Sequence, residues 1–140
     1  MILTCTFEEI GALRQGASNL LGESSRGHPS VAAPPRGRED VEALLPRLSG
    51  DLAIETLAEQ RQVVEAVTII VAHLKEEMDL WVVTTHAADE SAVSAYFLYA
   101  HALAVLARLS EMGQEMEALI EVVTGAPATP QVAATFLFPG

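Results

Sequence analysis

His73, Glu76, Glu77 and His101 are the side chains whose types and spacing come closest to a chemical site in this 140-residue chain. Helical bundles bind metals with inward-facing Glu and His. His73 and Glu77 stand four residues apart, which puts them on one face of a helix. If the chain turns back on itself about Ala87, His73 and His101 lie 14 residues to either side and can face each other. A di-iron bundle needs more: Glu-x-x-His on two helices and two further glutamates. Position 98, where the glutamate partner of His101 would stand, is leucine. His73 also falls beside an apolar seam and not in it. The expectation is no metal and no cofactor. His73, Glu77 and His101 read as rim groups hydrogen-bonded to polar neighbours, and as the ligands a metal would use if one bound.

The remaining candidates are weaker. His86, Asp89 and Glu90 cluster at the same turn, where a capping role explains the acids. Cys5 is the lone cysteine; a nucleophilic thiol needs a setting that lowers its pKa, and a small buried hydrophobe is the simpler reading. Met112 and Met116 form a polarizable stripe suited to varied partners, but their periodic placement marks a packed face. No phosphate loop, dinucleotide fingerprint, hydrolase elbow, H-E-x-x-H or C-x-x-C occurs. Catalysis therefore has no motif behind it.

The elements that position these residues are mostly helical. Residues 2–6 read as a short extended segment. Thr6 and Glu9 form the S/T-x-x-E pattern of a capping box. It opens a helix over about 7–21 whose apolar face holds Phe7, Ile10, Leu13, Ala17, Leu20 and Leu21. Gly11 and Gly16 weaken this helix, and Gly22 is placed to stop it. Residues 22–38, rich in proline and glycine, are a linker made locally basic by Arg26, Arg36 and Arg38. A short helix over 39–48 should kink or end near Leu45, because Pro46 sits too deep for a first-turn proline. Ser49 or Asp51 can then cap the next helix.

Two long helices come next, about 52–83 and about 90–124. In the first, Leu57, Val64, Val67, Val71, Leu74, Met78 and Trp81 form a heptad seam, and the polar pair Gln60-Arg61 fills its one missing step. In the second the seam is Ala102, Val105, Leu109, Met112, Met116, Leu119 and Val123, ended by Gly125 and Pro127. Helices of this length joined by a short turn must be antiparallel neighbours. The expected fold is thus all-α: one helical domain over 1–140, a bundle built on a long helical hairpin, with a tail at 125–140. Ala133-Ala134-Thr135-Phe136-Leu137-Phe138 is β-prone, so the two terminal runs are expected to pair as short strands, with each other or across a dimer.

Composition bounds the partners. Nineteen acids against eight bases leave a net charge of −11, which argues against nucleic acid. A single cysteine rules out an intrachain disulfide and fits a reducing compartment, and the opening residues lack the basic region of a signal peptide. Cytoplasm is the expected location. Residues 91–107 carry no formal charge but fall short of a membrane span and include serines, tyrosines and His101. A membrane is therefore not the expected partner.

The first half of the second long helix has another apolar face: Val93, Tyr96, Phe97, Ala100, Leu103 and Ala107. Two weak short helices cannot easily cover it. The sequence points to a non-catalytic interaction protein, self-associating or bound to a protein partner, with Trp81, Val93, Tyr96, Phe97 and Ala100 as the contact. The alternatives are a metal- or small-molecule-binding bundle at the His73/His101 level and a peripheral membrane protein.

Overall fold

A computed structural model describes residues 1–22, 37–85 and 89–125. The chain is mainly α-helical, with four helices and a short two-stranded sheet among the described residues: β1 (Ile2–Leu3), α1 (Phe7–Leu20), α2 (Arg38–Leu44), β2 (Leu52–Ala53), α3 (Leu57–Thr84) and α4 (Glu90–Thr124).

The helix ends obey local chemistry. The Thr6 hydroxyl accepts from the Glu9 amide while the Glu9 carboxylate accepts from the Thr6 amide, so the capping box forms as expected. The kink at Pro46 is also present: α2 gives way to a 3-10 turn at Leu45–Arg47. Asp89 caps α4 by accepting from the Ser91 amide, and Gly125 closes it at φ 69°, a left-handed conformation that glycine adopts without strain.

Two expectations need correction. The first long helix does not begin near residue 52. Leu52–Ala53 is a strand, and α3 starts at Leu57, where the Thr56 hydroxyl accepts from the Glu59 amide. β1 pairs antiparallel with β2, Ile2 opposite Ala53 and Leu3 opposite Leu52; the expected partner run, residues 133–138, lies outside the described residues. Asp51 does not cap a helix. Its carboxylate accepts from the Cys5 amide, tying the end of β1 to the turn before β2.

The core sits where α1 and α2 pack onto the α3–α4 pair. α3 and α4 pack against each other, with the Gln60 side-chain amide donating to the Leu109 carbonyl and Arg61 reaching Glu117. The α3 seam is displaced from the expected line. Val67, Val71 and Leu74 are buried, but Leu57, Val64, Met78 and Trp81 are only partly so. The most buried line is Gln60, Val63, Val67, Ile70, Leu74 and Glu77, also in steps of three and four, with a polar residue at each end. Gln60 fits because residue 113 is glycine: a Cβ there would come within 2.6 Å of the Gln60 amide nitrogen. In α4 the seam holds from Ala102 to Met116. Leu119 and Val123 are exposed, because α3 begins at Leu57 and the end of α4 runs past it.

α1 also differs from expectation at two residues. Phe7 is exposed and not in the packed face. Gly16 is a contact point, not a flaw: a Cβ there would meet Ile70 Cγ2 at 2.7 Å, so glycine lets α1 approach α3 closely.

Candidate functional site

That close approach brings α1 polar side chains into the α3 seam. Asn19 Nδ2 donates to Glu77 Oε2 at 3.0 Å, and Gln15 Nε2 donates to Asn19 Oδ1 at 2.8 Å. One turn back along α3, His73 Nε2 lies 2.6 Å from Glu77 Oε1. Glu77 and His73 are each 4% exposed. Both oxygens of Glu77 are thus engaged, one by Asn19 and one by His73. His73 Nδ1 is buried without a partner among the described residues.

The expected pairing of His73 with Glu77 is present, then, as a buried contact and not as a rim feature. Glu76, one residue away, faces outward. His101 is half-buried on α4. No group of three His, Cys, Asp or Glu side chains able to hold a metal ion occurs among the described residues. His86 lies outside the described residues.

Beyond Glu77 a cavity of about 240 Å³ opens between α3 and the start of α4. Leu74, Trp81, Ala95 and Leu98 form its apolar walls, and Glu77, Glu90, Ser91 and Ser94 its polar ones. Glu90 adds to the acidity here, and the Asp89 carboxylate already occupies the end of α4 by capping it.

The outer face of α4 near this cavity is apolar and uncovered by the described residues. Tyr96 and Phe97 are 53% and 56% exposed, and their rings meet edge to face with centroids 5.8 Å apart. Val93 and Leu103 extend the exposed stripe in both directions, with Ala100 half-buried between them. Trp81 is also half-buried, and Val82 and Val83 beside it are exposed.

At the other end of the core, Arg108 grips Glu9 with two nitrogens, at 2.7 and 2.9 Å, and reaches the Thr4 carbonyl. One feature of the sequence signals this contact: Arg108 is the only Lys or Arg in α4 and the first formally charged residue after the uncharged run. Its partner on α1 had no such signal. The hydrogen bond from Arg108 is the main reason that the Glu9 carboxyl is held below its ordinary pKa. Burial pushes the nearby Cys5 thiol up, despite the attraction of Arg108. A thiol so placed lacks the lowered pKa a nucleophile needs. Of the basic linker residues only Arg38 is described, and it pairs with Glu42 and the Leu21 carbonyl of its own chain.

Comparison with protein-family models, with characterised proteins and with solved structures finds no match.

Proposed function

We propose that this chain is a non-catalytic interaction protein: a helical bundle built on an antiparallel α3–α4 hairpin, which pairs with a second copy of itself through the turn-proximal half of α4. The observation that carries the reading is the exposed Tyr96–Phe97 pair, set in a stripe with Val93 and Leu103 that the chain's own described helices leave uncovered. Single chains rarely leave a contiguous apolar patch of this kind open to water. Aromatic side chains dominate interface energetics once desolvated. A two-fold dimer covers such a face with the least new structure, because the same patch serves both partners.

Charge supports the choice of an apolar contact. Residues 91–107 are uncharged, while each copy carries −11 overall. Two copies repel at long range, and salt screens that repulsion while leaving apolar burial intact. The cytoplasm suits a chain with one cysteine.

A peripheral membrane reading draws on one observation: α4 is long and apolar enough to cross a bilayer by length and composition. A core helix passes the same test, and the second half of α4 carries Glu111, Glu115, Glu117 and Glu121. Sedimentation at micromolar concentration, in low salt and at about 1 M salt, separates the readings. A two-chain mass that persists or strengthens in high salt is expected. A one-chain mass in both conditions overturns self-association, and if that single chain also floats with lipid vesicles the membrane reading replaces it.

A further inference from the structure

We infer that the outer face of α1 docks antiparallel on the second half of α4 in another copy of the chain, with Arg14 of one copy against Glu115 of the other. The contact is separate from the turn-proximal pairing proposed above, because it uses neither Tyr96 nor Phe97.

Both faces lack cover among the described residues. On α1, Phe7 is 89% exposed, and a groove of about 320 Å³ runs over Phe7, Gly11, Arg14 and Ser18. Arg14 is exposed and has no acid partner among the described residues. The other described cations each have one: Arg38 holds Glu42, Arg47 holds Glu59, Arg61 holds Glu117, Lys75 holds Asp79 and Arg108 holds Glu9. Gly11 weakens its helix, and no described neighbour needs the missing side chain, since a Cβ there would meet nothing within 4 Å. Gly16 and Gly113, by contrast, each admit a side chain from α3. On α4, Val122 is 83% exposed, and Ala118, Glu115 and Glu111 are exposed along the same face.

The two faces match in register. Phe7, Gly11, Arg14 and Ser18 follow one another at steps of four, three and four, and Val122, Ala118, Glu115 and Glu111 do so in the reverse direction. That is the spacing of a seam along one side of a helix. Laid antiparallel, Phe7 meets Val122, Gly11 meets Ala118, Arg14 meets Glu115 and Ser18 meets Glu111. The apolar pair falls at one end. Glycine and alanine share the next level and let the helices approach closely. Arg14 then falls on an acid, and the Ser18 hydroxyl can donate to Glu111. A parallel arrangement sets Glu111 against Phe7, beside the acidic Glu8, and leaves Arg14 against Ala118. Charge therefore selects the antiparallel orientation. A seam about three turns long is small beside a standard interface, so the contact is weak and belongs to concentrations of about 0.1–1 mM. Its two faces differ, so it either closes reciprocally between two copies or continues from copy to copy.

Sedimentation equilibrium of the full chain at about 0.1–1 mM, at fixed ionic strength, tests the contact. The parent should exceed its micromolar mass. Arg14→Glu and Glu115→Arg should each weaken the extra association by about tenfold or more. An equal mixture of the two variants should restore it, because each reversed charge then meets the other. Both positions are exposed, so each variant should keep the parent's melting transition. Net charge alone predicts a different result: Glu115→Arg makes the chain less negative and would strengthen association. The micromolar mass reports the turn-proximal pairing separately and should be the same in the parent and both variants. No gain in mass at high concentration, a Glu115→Arg variant that associates as strongly as the parent, or a mixture no heavier than its components each overturns the contact.

Discussion

Asn19 and Glu77 are 58 residues apart and meet at 3.0 Å inside the protein, the α1 amide donating to the α3 carboxylate. The contact sets how α1 lies on α3, because an apolar interface alone tolerates sliding and rotation whereas a buried hydrogen bond does not. Its energetics depend on the groups stranded when one partner goes. Glu77→Ala leaves the Asn19 amide and His73 Nε2 buried without an acceptor. The expected cost is about 1–3 kcal/mol, read from chemical denaturation. Glu77→Gln keeps one acceptor and should cost less. A stability of Glu77→Ala equal to that of the parent would mean that water replaces the lost contact.

The glycines of α1 should respond in opposite directions. Gly11 has open space where a Cβ would go, so Gly11→Ala should stabilise by about 0.5–1 kcal/mol through helix propensity. At Gly16 the same change drives a methyl against Ile70 and Leu74 and should destabilise by about 1–3 kcal/mol. Melting temperatures that shift the same way in both variants would show that α1 does not seat on α3 as described.

Leu109 and Glu111 differ by two positions and by everything in environment. Leu109 is fully buried in the α4 seam, and Glu111 is exposed. Leu109→Asp should cost several kcal/mol, a large part of the roughly 5–15 kcal/mol by which a small domain is stable. Glu111→Ala should change stability by under about 0.5 kcal/mol. Thermal unfolding followed by circular dichroism compares them directly.

Acid should loosen the clamp between Glu9 and Arg108. Arg108 holds the Glu9 carboxyl below the ordinary value of 4.5. A carboxyl with a lower pKa folded than unfolded contributes stability that is complete above the unfolded value and is lost as pH falls through the folded one. The contribution of Glu9 should therefore be present at neutral pH and fade below about pH 4.5. Glu9→Gln should be less stable than the parent near neutrality, and the gap should narrow as the solution is acidified below that window. A gap independent of pH would assign the effect to packing rather than to the ion pair.

Local features were legible along the chain before any packing was known. The capping box at Thr6 and Glu9, the break at Pro46, the Asp89 cap and the Gly125 stop are each written in a few adjacent residues, and α4 runs from Glu90 to Thr124 as its periodicity and caps demand. Such features can be read because their partners lie within one turn of helix. Contacts between distant segments settled the rest. Leu52–Ala53 became a strand because Ile2–Leu3 lies beside it. Gln60 and Glu77 joined the buried line of α3, displacing the apolar seam, because the Leu109 carbonyl, Asn19 and His73 satisfy them there. Gly16 and Gly113 acquired a purpose only where another helix crosses. The candidate site belongs to this second class: Glu77 and His73 were legible as a pair, but the Asn19 contact and the adjoining cavity were not. A polar residue is buried when a partner meets it, and a periodicity that counts apolar residues carries no record of where that partner comes from.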